Sequence, residues 1–162
     1  MVESDEIAKF VDESVATPPH LASGKYTSEE MKDAGECTNG FFPAIARYLK
    51  HSINGDEEDL KRKAALEEAL GKVEAQLGQQ GKSGPFLAGD GENITLLDCS
   101  MIPKFYHLSV GMKGFNDDSV NIESQFPLVY AYIKNLFDRE SFNKSLYPEE
   151  TILWGWSNAR KS

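Results

Sequence analysis

Cysteine is scarce in this 162-residue chain: Cys37 and Cys99 are the two, 62 residues apart, and no C-x-x-C occurs. That excludes a zinc ribbon and a local redox pair and leaves two buried thiols as the simplest reading. Histidine is scarce too. His20, His51 and His107 lie outside any H-E-x-x-H, with no Cys or carboxylate at metal-ligand spacing, so no metal site is expected. No apolar run approaches the ~18 residues a membrane span needs. Residues 1–15 are acidic and lack an apolar core, so no secretory signal is expected and the expected setting is intracellular. Positive charge is short: 17 Lys and Arg against 26 Asp and Glu give a net −9. The basic clusters are Lys61-Arg62-Lys63 and Arg160-Lys161, too few to neutralise a run of phosphates, so nucleic acid is not an expected partner. There is no G-x-S-x-G elbow for a serine nucleophile. Gly81-Lys82-Ser83 imitates the end of a phosphate-binding loop, but Gln76 stands where its first glycine belongs and Gly84-Pro85 follows where a helix must begin. No alternating strand pattern of useful length occurs, and the chain reads as all-α.

What is present is helical periodicity. Ser4 is placed to cap a short helix over 5–13 whose apolar face is Ile7, Phe10 and Val11; three such residues need something else to pack on. Pro18-Pro19 mark a connection over 14–26. Residues 28–52 are helical but weakened at Gly35 and Gly40. Residues 56–77 form the clearest helix, with Leu66, Leu70, Val73 and Leu77 on one face. Its other face offers three acid-to-base pairs at i, i+4: Glu57–Lys61, Glu58–Arg62 and Asp59–Lys63. Glycines punctuate a loop over 78–93. Thr95-x-x-Asp98 is a capping box opening a helix that is apolar nearly all round to about Met112, which belongs at the centre of a bundle, with Pro103 kinking it or marking its first turns. Phe126-Pro127 opens another helix, carrying Val129, Tyr132, Ile133, Leu136 and Phe137. A short helix is expected over 141–145, and a tail from Thr151 carrying Trp154 and Trp156 should lie against the body.

Candidate chemistry is thin. Asp98 is a buried carboxylate best explained as a cap, and His107 as a hydrogen-bonded core or pocket residue. Trp154 and Trp156 could line a pocket, with plain packing as the simpler role.

The runs Gly84-Pro85-Phe86-Leu87-Ala88-Gly89, Ile94-Thr95-Leu96-Leu97-Asp98 and Pro103-Lys104-Phe105-Tyr106-His107-Leu108 resemble the helical C-terminal domain of glutathione transferases. Phe137-Asp138-Arg139-Glu140-Ser141-Phe142 and Ile152-Leu153-Trp154-Gly155-Trp156 resemble the end of that domain in plant and algal dehydroascorbate reductases, with the chloride-intracellular-channel proteins near by. The resemblance implies an all-α bundle over 27–162, a linker at 15–26, and at 1–14 the last helix of a thioredoxin-like domain otherwise missing here. It implies that Glu3 and Ser4 are a remnant of the glutathione site, and that Tyr106, His107, Trp154 and Trp156 border a second-substrate pocket. Glutathione is the implied co-substrate, without a metal, and the compartment cytoplasm or plastid. The family's nucleophilic cysteine belongs to the missing half, and neither Cys37 nor Cys99 is placed to replace it. The chain is then the helical half of a dehydroascorbate reductase-like thiol transferase, inactive alone. The alternative is a non-catalytic interaction module, with a thioredoxin-like domain or other protein on the face near residues 4–13.

Overall fold

The structure is a computed structural model that describes residues 3–14, 21, 26–79, 81–115 and 119–161, with the side chains of Glu3, Ser4 and Asp5 outside that description. The described residues form helices and loops without a strand. In chain order the helices are α1 Glu3–Ser14, α2 Ser28–Glu36, α3 Phe41–Lys50, α4 Glu57–Leu77, α5 Leu96–Gly114, α6 Ile122–Gln125, α7 Pro127–Phe137, α8 Glu140–Ser145 and α9 Glu149–Ala159.

α5 is the central rod expected from its all-round apolar pattern: it touches α1, α3, α7 and α9. Phe105 sits at its middle, fully buried, with the Phe41 ring 4.9 Å and the Tyr132 ring 5.9 Å away. Pro103 is accommodated inside α5. Gly111 lets α3 approach, since a Cβ there would lie 2.6 Å from Leu49 Cδ2. α4 buries Leu66, Leu70 and Val73 as its period requires, and Ala69 and Gln76 extend that face.

Several boundaries move for physical reasons. The weakened stretch 28–52 divides after Glu36, and Gly40 takes the left-handed φ of +77° that caps α3, while Gly35 stays helical. Two of the three anticipated ion pairs form on α4, Glu57–Lys61 at 3.0 Å and Glu58–Arg62 at 2.9 Å. The third does not. Asp59 turns back to cap the helix, accepting from the amides of Asn54 and Gly55 and bonding His51, and Lys63 goes to Glu67 at 3.7 Å. Asp56 and Asp59 make the capping box, a role the four-residue spacing rule ignores. α1 begins at Glu3, so Ser4 lies within the helix rather than before it. The tail is the helix α9, docked by Arg160, whose Nε donates to Leu49 O at 2.7 Å and whose guanidinium lies 3.6 Å from the Phe115 ring centre.

Candidate functional site

The loop between α4 and α5 positions the first turn of α5. Ser83 and Gly84 amides donate to Asp90 O at 2.8 and 3.0 Å, and Phe86 N donates to Gly91 O at 3.0 Å. Glycine is obligatory here: a Cβ on Gly84 would lie 2.1 Å from Gly91 O. Lys82 Nζ donates to the carbonyls of Leu87 and Phe86 at 2.5 and 3.3 Å, so the lysine of the phosphate-loop imitation is a clamp on its own loop.

Asp98 is the hub of this end. It is fully buried; Oδ2 accepts from Thr95 N and Thr95 Oγ1, both at 2.8 Å, while Oδ1 accepts from Leu87 N at 3.1 Å and Tyr132 Oη at 2.9 Å. Thr95, itself buried, completes the capping box. Every lone-pair direction of the carboxylate is used for joining α5, α7 and the loop, so its role is structural.

Neither thiol is activated. Both cysteines are free. Cys37 is buried with Sγ donating to Ala34 O at 3.0 Å, and burial pushes its pKa up to about 12. Burial also raises the pKa of Cys99, and the neighbouring Asp98 carboxylate adds to the rise. A thiolate nucleophile needs the opposite, a depressed pKa.

Cys99 nevertheless faces a cavity of about 340 Å³ between α5 and α8, lined by Ile102, Pro103, Tyr106, Phe142 and Tyr147 among others. Tyr106 is its centrepiece, edge-on to Phe137, Phe142 and Tyr147 with ring centres 5.7–6.2 Å apart. Its hydroxyl donates to Tyr147 O at 3.0 Å. Behind Tyr106, His107 Nε2 lies 2.6 Å from Tyr147 Oη, and Trp156 Nε1 donates to His107 Nδ1 at 3.1 Å. Burial lowers the His107 pKa. The structure therefore brings Tyr106, His107 and Trp156 together. Of the four expected pocket residues Tyr106 alone lines the cavity, with His107 and Trp156 linked to its wall through Tyr147, while Trp154 is 71% exposed because Trp156, two positions on, takes the inward face of α9.

Glu3 and Ser4 stand at the start of α1 with side chains outside the described residues. Further along the helix, Ile7, Phe10 and Val11 are 61%, 69% and 52% exposed, so the partner their spacing requires is absent among the described residues. α1 is held instead by Asp12, which accepts from Leu21 N at 2.7 Å, and by contact with α5.

One constellation was missed by sequence spacing. His51, Asp56 and Asp59 place potential ligand atoms within 4.8 Å of one another, because the Asn54-Gly55 turn folds the end of α3 onto the start of α4. The carboxylates are committed to amides: Asp59 Oδ2 accepts from Asn54, Gly55 and Asp56, and Asp56 Oδ1 accepts from Asp59. The group serves as a double cap.

The family model of the glutathione S-transferase C-terminal domain matches residues 42–135. The chain belongs to this family. The matched stretch runs from α3 to α7 and contains the glycine loop and the Thr95/Asp98 box described above. The chain is 32% identical to "Probable glutathione S-transferase DHAR1, cytosolic" of Oryza sativa subsp. japonica over 96% of its length. It is 33% identical to "Glutathione S-transferase DHAR2" of Arabidopsis thaliana over 93% of its length. It spans 64% and 60% of those two proteins. In fold it matches the rice glutathione transferase OsGSTU1, solved in complex with glutathione, with a TM-score of 0.67 and 18% identity over 99% of this chain and 70% of that one. Among the described residues no helix is long and apolar enough to cross a membrane.

Proposed function

We propose that this chain is the helical half of a glutathione-dependent thiol transferase of the dehydroascorbate reductase kind, and that its catalytic thiol comes from a thioredoxin-like domain or protein seated on α1. The observation that carries the reading is chemical: both thiols have raised pKa values, while α1 turns Ile7, Phe10 and Val11 outwards. Glutathione is the thiol substrate. Glu3 and Ser4 contribute to holding its γ-glutamyl end, where a carboxylate suits the ammonium and a helix start suits the carboxylate. The cavity beside Tyr106, backed by His107 and Trp156, borders the second-substrate position. The relatives' names and the glutathione complex of the rice structure support glutathione, and relatives named as cytosolic and as chloroplastic support a cytoplasmic or plastid setting alike.

The test is calorimetry with glutathione followed by a dehydroascorbate reduction assay, on the chain alone and with a thioredoxin-like domain added. The chain alone should show neither micromolar binding nor turnover. Turnover by the chain alone would overturn the assignment of the nucleophile. A second reading rests on the same exposed face: a non-catalytic docking module. It is favoured if a seated partner forms a stable complex that neither binds glutathione nor turns over.

A further inference from the structure

Three groups from three segments meet at His107. Trp156 belongs to α9, His107 to α5, and Tyr147 to the link between α8 and α9. The indole N–H can only donate, so His107 Nδ1 accepts and carries no proton. The ring is thus the neutral Nε2–H tautomer and donates to Tyr147 Oη. One imidazole both accepts from α9 and donates to the link, which only its neutral form can do. Tyr147 is at the same time a wall of the cavity that Cys99 lines, and Tyr106 holds its backbone carbonyl.

We propose that His107 is a positioning residue for this cavity, tying α9 to the Tyr147 wall while neutral and releasing the tie on protonation, so that access to the cavity rises as pH falls. This rests on the reading of the cavity above and names its regulation. A protonated ring still donates to Tyr147, but it then presents N–H to the N–H of Trp156, and the two repel. The connection from α9 to the wall is lost at its midpoint.

The surrounding charges leave this titration to His107. On α9, Glu149 and Glu150 act on Tyr106, and Glu149 is 3.5 Å from Lys113 of α5. Arg160 is held at Leu49 O and the Phe115 ring. Tyr106 and Tyr147 both have raised pKa values and stay neutral through the histidine range. Burial disfavours the charged ring. The unfolded chain therefore takes up the proton first, and the tie contributes fully above the ordinary histidine value, about 6.5, and is progressively lost below it.

The experiment uses the full chain without glutathione. Cys99 is labelled with 2,2′-dithiodipyridine, which reacts with thiols in acid, and its modification is followed by peptide mass spectrometry across the histidine range. The rate is divided by that of His107→Gln at each pH, which cancels the thiol's own chemistry. That ratio should rise roughly three- to tenfold as pH falls, the weight of one hydrogen bond in an open–closed equilibrium. In parallel, the Trp156 indole N–H resonance should move with the same midpoint as the His107 ring, and Trp156→Phe should raise that midpoint. Tyr147→Phe, which removes the acceptor, should open the cavity at neutral pH and provides the test if His107→Gln does not fold. A flat ratio, or an indole resonance indifferent to the His107 titration, overturns the proposal. Either result leaves the glutathione reading to its own assay, and a failed glutathione assay leaves these readouts intact.

Discussion

Replacing Asp98 separates a cap from a catalyst most sharply. The carboxylate accepts four bonds from three parts of the fold: its own helix start at Thr95, the loop at Leu87 and α7 at Tyr132. Asp98→Ala strands the buried amides of Thr95 and Leu87, and hydrogen bonds to a charged group contribute ~1.5–3 kcal/mol each. Partial relaxation and entry of water reduce the sum, so we expect a loss of ~4 kcal/mol, near the cost of breaking a buried charged network. Against a typical total of ~5–15 kcal/mol this leaves a marginal protein. Asp98→Asn is the more discriminating variant. Its one carbonyl can serve one backbone amide, while its NH2 faces the other, and an amide N–H, unlike a hydroxyl, cannot turn to accept. The expected cost is ~2–3 kcal/mol, the penalty of one unsatisfied buried donor beside a second one. Tyr132→Phe loses one hydroxyl bond to the charged carboxylate and should cost ~1.5–3 kcal/mol. Urea unfolding followed by far-ultraviolet circular dichroism gives all three from the midpoint at constant slope. An Asp98→Asn variant as stable as the parent would refute the reasoning, because the four bonds would then have no weight.

Phe105 lies fully buried between Phe41 and Tyr132, so Phe105→Ala should cost ~3–5 kcal/mol in the same unfolding assay. The two tryptophans should part company: Trp154→Phe should change stability by under ~0.5 kcal/mol, whereas Trp156→Phe loses the bond to His107 and should cost ~1 kcal/mol. Burial alone would raise the Asp59 pKa, but bonds from the Asn54 and Gly55 amides and from His51 outweigh it, and the net shift is downward. A lowered folded value gives stability that is present above the unfolded value and lost as pH falls through the folded one, so the deficit of Asp59→Asn should shrink below about pH 5. Denaturation midpoints of the two proteins at several pH values provide the check.

The legibility of the molecule in its sequence follows from the range of the forces involved. Helix periodicity is local, and the order and rough extents of α4, α5 and α7 could be read from Leu66–Leu70–Val73, from the all-round apolar run after Thr95, and from Pro127. Capping is nearly local, so Thr95-x-x-Asp98 was legible as a box. Asp59 was misread because two local rules compete for it. The backbone amides of Asn54 and Gly55 are unsatisfied donors at fixed positions and win over a flexible Lys63 in solvent.

The sequence by itself determined the helical class, the central place of α5, the glycine loop and the scarcity of cysteine. Only the tertiary structure decided which tryptophan turns inwards, that His51 meets Asp56 and Asp59, that Tyr106, His107, Tyr147 and Trp156 share one corner, and that no described residue covers the apolar face of α1. Those outcomes depend on where helices cross, and a crossing is set by side chains far apart in the chain: Gly111 against Leu49, Arg160 on Phe115, Tyr132 on Asp98. No spacing rule within one helix contains that information.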